Sequence, residues 1–175
     1  MITLFHGTPR PNSQSRKVAN YYDYLLGEKN VKHFFFTLEN VDKTIFTDFY
    51  NTVPKNPQLV SIEEGILQPT TKYIFIIPEY NGSFPGTLKA FIDATDVKSC
   101  FHGKRACITG VAAGRAGNLR GIDQFSNILH HLKMEVMHLK LPLSAIDENI
   151  DANGNLINEE YKKMIDTQID LFLKH

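Results

Sequence analysis

Five consecutive apolar residues, Tyr73, Ile74, Phe75, Ile76 and Ile77, run without interruption into Pro78. A segment this short, rich in β-branched and aromatic side chains and closed by proline, reads as a strand buried on both faces. Strands of that kind belong to parallel sheets covered by helices on each side, so this run constrains the fold more than any other in the chain. The segment after it is polar and compact: Glu79, Tyr80, Asn81, Gly82 and Ser83 place an aromatic face, an amide, a hydroxyl and a permissive glycine at the carboxyl end of a central strand, where open α/β sheets bind ligands. Pro85 suits the first turn of a helix, and Leu88, Phe91 and Ile92 keep the spacing of a face packed on the sheet.

The same alternation extends over the whole chain. Residues 2–6 form a short apolar strand, and Val18, Ala19, Tyr22, Leu25 and Leu26 mark one helical face with Gly27 as its expected stop. A second strand is expected at 33–38, a short helix at 60–67, a fourth strand at 105–109 and a helix facing inward through Ile122, Phe125, Leu129 and Leu132. A fifth strand at 135–141 is closed by Pro142, and a final helix at 159–173 buries Tyr161, Ile165, Ile169 and Phe172. Residues 39–57 are polar and irregular, with Phe46, Phe49 and Tyr50 interspersed, and a loop of that length is functional or a partner surface. Five strands alternating with helices predict one α/β domain over residues 1–175: a flavodoxin-like, doubly wound parallel sheet of order 2-1-3-4-5 with helices on both faces.

In that order the switch point lies between strands one and three, so the loop after residue 6 and the loop after Pro78 become neighbours. The first of these reads Gly7-Thr8-Pro9-Arg10-Pro11-Asn12-Ser13-Gln14-Ser15. Unpaired N–H groups and the macrodipole at a helix start favour an anion there, and Thr8, Ser13, Ser15 and the bidentate donor Arg10 surround it. The plainer alternative is that Asn12 or Ser13 only caps the helix and Arg10 is a solvated charge. Neither the P-loop nor the dinucleotide glycine pattern is present. A third loop, Gly110 to Asn118, carries glycines at 110, 114 and 117, suited to close approach of backbone to a flat ligand or to a plain glycine-rich turn.

Two of these loops carry a resemblance. Pro78-Glu79-Tyr80-Asn81-Gly82-Ser83-x-Pro85-Gly86-x-Leu88-Lys89 and Gly7-Thr8-x-Arg10-x-x-Ser13 resemble the signatures of the NADPH-dependent FMN reductase family. The resemblance implies a flavodoxin-like fold, FMN as cofactor and NADPH or NADH as co-substrate. It further implies a small-molecule electron acceptor such as free flavin or a quinone, and assembly as a homodimer or homotetramer. By resemblance, Thr8, Arg10, Ser13, Gln14 and Ser15 hold the FMN phosphate, Pro78, Glu79, Tyr80, Asn81 and Gly82 face the ring, and Ala113, Gly114 and Arg115 close its pyrimidine side. The flavin carries the chemistry, so no side chain is assigned as acid or base. The chain departs from the family at Ala90 and Ala94, where asparagine and tryptophan are usual.

Composition narrows the alternatives. Lys plus Arg and Asp plus Glu both number 19, which leaves no positive field to gather nucleic acid and no acidic surface of the kind a flavodoxin electron carrier uses to steer partners. That carrier, and a flavin-binding module without turnover, are the rival readings. No apolar run approaches a membrane span, and a cytoplasmic protein is expected. Cys100 and Cys107 are too few for a disulfide framework and read as reduced structural thiols. Cys100-x-x-x-x-Arg105 precedes a strand and is one residue short of a phosphatase cradle. No metal site is expected: Asn149-x-Asp151-x-Asn153-Gly154 lacks the first aspartate of a calcium loop and reads as Asx-turns, and consecutive His130 and His131 diverge on a helix.

Overall fold

The computed structural model describes residues 1–47 and 53–175. Their strands form one parallel sheet of order β2-β1-β3-β4-β5, built from β1 (Ile2–His6), β2 (His33–Thr37), β3 (Lys72–Pro78), β4 (Arg105–Val111) and β5 (Glu135–Val136), with β6 (Leu141–Leu143) also paired to β4. Helices α1 (Gln14–Glu28) and α6 (Glu159–Lys174) cover one face. On the other lie α2 (Pro57–Ile62), α3 (Gly86–Ala94), the short α4 (Val97–Cys100) and α5 (Leu119–His131). The unbroken apolar run of β3 is explained by this sandwich. Tyr73, Phe75 and Ile77 point into the core beneath α3 and α5, whereas Ile74 and Ile76 point beneath α1 and α6.

Several boundaries move for identifiable reasons. Gly27 lies inside α1; the stop is made by Asn30, whose left-handed backbone (φ 55°) lets its N–H reach the Gly27 carbonyl while that of Val31 reaches Leu26. The expected helix at 60–67 starts at Pro57, capped by the Asn56 side chain, and ends in a widened π turn over Glu63–Leu67. Part of the irregular stretch after β2 belongs to the core, because Val41 and Ile45 are buried; Phe49 and Tyr50 lie outside the described residues.

The largest departure is at the fifth strand. Val136 pairs with Ala106 and Leu141 with Thr109, so residues 137–140 stand opposite only 107–108 and the expected single strand splits in two. Pro142 does not close the strand but sits inside β6, on the sheet's outer edge, where its missing N–H leaves no ladder bond unmade. The break strands main-chain carbonyls in the interior, and one fully buried side chain of α6 collects them. Gln168 donates from Nε2 to the Ile108 carbonyl at 3.2 Å and the Leu139 carbonyl at 3.0 Å. Its Oε1 accepts from the Tyr22 hydroxyl at 2.7 Å and the Thr109 hydroxyl at 3.0 Å.

The features set aside in the sequence take structural roles. Asp151 accepts the N–H groups of Asn153 and Asn155 in an Asx-turn. Cys100 and Cys107 are fully buried, and burial pushes the Cys100 thiol up to about 12 and Cys107 higher still, which keeps both protonated and inert. Among the described residues no helix is long and apolar enough to cross a membrane.

Candidate active site

The carboxyl ends of β1, β3 and β4 open into one cleft of about 310 Å³, near the lower end of small-molecule sites. β1 and β3 are paired neighbours, and the chain leaves β1 through a crowded position: a Cβ at Gly7 would lie 3.1 Å from the side chains of Ile77 and Leu88. Gly7 donates to the Ile76 carbonyl at 3.0 Å, and beyond it the Thr8 hydroxyl meets the Tyr80 hydroxyl at 2.7 Å. The two loops that the strand order predicts as neighbours are thus clasped side chain to side chain. Thr8 is fully buried in this clasp and lies beneath the cleft instead of on its wall.

One wall is the start of α1. Ser13 is the N-cap and its Oγ accepts the Arg16 N–H at 3.2 Å, as the plainer reading required, yet Ser13 also lines the cleft with Arg10, Asn12, Gln14 and Ser15. The amides of Gln14 and Ser15 fall in the first turn, where a helix offers no internal acceptor. The two nearby arginines have separate fates. Arg16 is held by Glu39 Oε2 at 2.9 Å and lies over the Phe35 ring, whereas Arg10 is exposed at the cleft and has no ion-pair partner among the described residues.

The opposite wall is Pro78, Glu79 and Tyr80. Tyr80 and Ser83 exchange main-chain hydrogen bonds of 2.8 and 3.1 Å across Asn81 (φ 51°) and Gly82 (φ 78°), a tight turn for which Asn-Gly is the favoured sequence. Asn81 and Gly82 therefore shape the loop without lining the cleft. Glu79 is fixed from below by its N–H to the Val111 carbonyl at 2.8 Å.

The third side is the glycine loop, and its glycines do different work. A Cβ at Gly110 would lie 2.6 Å from the Gly117 carbonyl oxygen, and one at Gly117 would lie 2.4 Å from the Pro142 carbonyl carbon, so both answer to the chain's own packing. Gly114 meets open space. Ala113 lines the cleft, whereas Gly114 and Arg115 are exposed beside it. The sequence reading missed Asn12, Val111, Ala112, Ile146 and Asp147, which complete the lining. The last two arrive because the chain returns after the split strand: Ala112 donates to the Leu143 carbonyl and Ile146 to that of Ala112, at 3.0 and 3.1 Å. Asp147 then accepts from Gln14 Nε2 at 2.6 Å, leaving Gln14 Oε1 buried without a donor.

Behind the α1 wall lies a histidine that the sequence reading took as a strand terminus only. His6 is fully buried, with Nδ1 3.0 Å from Thr37 Oγ1 and Nε2 3.2 and 3.0 Å from the hydroxyls of Ser13 and Ser15. Glu39 Oε1 is 3.7 Å from Nδ1, beyond hydrogen-bond reach, and is buried without a donor, while Oε2 holds Arg16. Burial, assisted by the Arg16 charge, pulls His6 from 6.5 down to about 3. In that window the unfolded chain binds a proton that the folded chain does not, so stability falls as pH drops below about 6.5, by up to ~1.4 kcal/mol per pH unit. Acid unfolding of His6→Asn is expected to be shallower than wild type over the same window; parallel profiles would remove His6 as the source.

The chain is similar to known proteins in both sequence and fold. The sequence profile described as NADPH-dependent FMN reductase matches residues 1–145. A 2-hydroxy-1,4-benzoquinone reductase of Burkholderia sp. is 28% identical over 130 residues, 72% of this chain and 67% of that protein. An NAD(P)H-dependent FMN reductase of Pseudomonas aeruginosa is 31% identical over 99 residues, 55% of this chain and 54% of the relative, so the chain aligns with between about half and two thirds of these proteins. The fold is also that of the flavoenzyme NAD(P)H:(acceptor) oxidoreductase FerB from Paracoccus denitrificans, with TM-score 0.77, 20% identity and coverage of 99% and 94% of the two chains. On the length of the profile match, the chain belongs to the NADPH-dependent FMN reductase family.

Proposed function

We propose that this cleft binds FMN between the Gly7 and Pro78 loops, and that the protein passes reducing equivalents from NAD(P)H to a free flavin, a quinone or a similar small acceptor. The observation that carries the reading is the convergence of an anion-ready helix start and an aromatic, main-chain-rich loop on one cleft at the switch point of the sheet. The residues fit the cofactor: first-turn amides and Arg10 suit a phosphate, the partnerless Gln14 Oε1 suits a hydroxyl donor, and the open face of Gly114 leaves space at the third side. FMN, when bound, supplies the hydride-accepting ring.

The chain's own residues bind and orient. Arg10 and the amides of Gln14 and Ser15 neutralise the phosphate, and Ser13 and Ser15 add hydroxyl donors. Pro78, Glu79 and Tyr80 give the ring a rigid surface, held by the Thr8 clasp and the Asn81-Gly82 turn. Ala113, with Gly114 and Arg115 beside it, borders the opening through which a nicotinamide or acceptor approaches. In this reading the 175 residues act as one FMN-binding domain, cytoplasmic and assembled as a homodimer or homotetramer.

Arg10→Ala is expected to weaken FMN binding by about 1.5–3 kcal/mol, roughly 10- to 150-fold, in a protein that still folds. Fluorescence titration measures this, and an unchanged affinity would take Arg10 out of the phosphate site. Activity is tested by steady-state oxidation of NADPH and NADH with FMN under air, then with a quinone added. Sustained oxidation that rises with FMN occupancy is expected; FMN binding without turnover would replace the reductase by a flavin-binding module or electron carrier.

A further inference from the structure

The side chains of β1 that face α1 are Ile2, Leu4 and His6, so a histidine fills the third place of an otherwise apolar row, against the start of the helix. Its two nitrogens meet different partners. On the inner side, Thr37 Oγ1 accepts the Glu39 N–H at 3.2 Å and lies 3.0 Å from His6 Nδ1, where its own proton can be donated to the ring. A neutral ring that accepts at Nδ1 carries its proton on Nε2, and we assign His6 this tautomer, in which both serine oxygens facing Nε2 act as acceptors. Nε2–H then points at Ser13 and Ser15, whose oxygens are 3.2 and 3.0 Å away and 3.0 Å from each other.

The consequence concerns the serine protons. Ser13 Oγ also accepts the Arg16 N–H, so its oxygen is occupied from two sides and its own proton is free to point elsewhere. With the opposite tautomer, one serine would spend its O–H on His6, facing away from the cleft. With Nε2–H as donor, no serine proton is spent on the ring, so the protons, one of which can link Ser13 to Ser15 at 3.0 Å, are available to a ligand in the cleft that both serines line. A hydroxyl that accepts from a buried donor is also polarised into a better donor at its other end.

We propose that His6 is a positioning residue that turns the Ser13 and Ser15 hydroxyls outward as donors to the FMN phosphate. The inference rests on the placement of FMN given above. His6 touches no ligand itself; its effect is confined to the phosphate end, and this separates it from a residue that only supports the fold. Glu39 and Arg16 are the charged groups that face it, from the turn after β2 and from α1.

The test compares FMN with riboflavin, which lacks the phosphate, in His6→Leu, His6→Gln and His6→Asn, each checked for folding by circular dichroism. Glutamine can reach the serines with an amide N–H where Nε2 stands, whereas asparagine reaches only toward Thr37. His6→Leu and His6→Asn are expected to lose about tenfold in FMN affinity, with riboflavin affinity changed less than about twofold, and His6→Gln to recover most of the loss. If His6→Leu does not fold, the contrast between glutamine and asparagine decides alone. Equal losses for both flavins, or FMN affinity unchanged in the asparagine variant, would overturn the positioning role. A wild-type protein that binds FMN no better than riboflavin would instead overturn the phosphate site, and this inference with it.

Discussion

Gly117→Ala is expected to lower stability by about 3 kcal/mol or more. Two causes add. Gly117 is left-handed (φ 57°), a conformation that costs a Cβ-bearing residue roughly 1–2 kcal/mol. The new methyl would also lie 2.4 Å from the Pro142 carbonyl carbon and 2.6 Å from its oxygen, main-chain atoms that cannot rotate aside. Relief requires the glycine loop and β6 to separate, which would also disturb Ala112, Ile146 and Asp147 on the cleft wall. Gly114→Ala is the control: nothing lies within 4 Å of that Cβ, and its stability is expected to stay within about 0.5 kcal/mol of wild type. Urea unfolding of the two variants measures the contrast; equal midpoints would show that the contact with Pro142 is not a constraint.

Gln168→Leu is expected to cost about 2–4 kcal/mol, although it places an apolar side chain of similar size in an apolar interior. The cost comes from what is left behind. The Ile108 and Leu139 carbonyls lose their donor at the point where the sheet ladder is already broken, and a buried carbonyl without a partner costs roughly 1–3 kcal/mol. The Tyr22 and Thr109 hydroxyls fare better, since at 2.7 Å they can bond each other. Tyr22→Phe, which removes only one donor, should therefore be milder by a kcal/mol or more. Chemical denaturation of both variants gives the comparison, and a Gln168→Leu protein as stable as wild type would mean that water or a shifted β6 satisfies the stranded carbonyls.

These two sites mark where the sequence is legible and where it is not. The run from Tyr73 to Ile77 declares a central strand because hydrophobic periodicity is a local property, and the strand order follows from the alternation of elements; both are seen in the sheet. The pairing of the Gly7 and Pro78 loops is legible for the same reason, since the switch point is a consequence of topology. The split of the fifth strand has no local signal. Met137, His138, Leu139 and Lys140 read as a continuation, and the residue that makes the split tolerable, Gln168, lies on a helix some thirty positions later. Ile146 and Asp147 escaped notice as a direct result, because their place on the cleft depends on that return path. His6 was hidden differently: its identity is plain, but its complete burial against two serines is a tertiary fact. Glycines 110 and 117 show the converse case, a pattern open to a ligand or to a plain turn in which both positions answer to close packing within the chain.

The central claim is that one cleft holds FMN with its phosphate at the start of α1 and its ring against the Pro78 loop. A crystal structure of the protein with FMN tests it most directly. The account predicts the phosphate within hydrogen-bonding distance of Arg10 and the amides of Gln14 and Ser15, with the ring lying on Pro78, Glu79 and Tyr80. FMN bound with its phosphate away from Arg10, or at another surface, would contradict it.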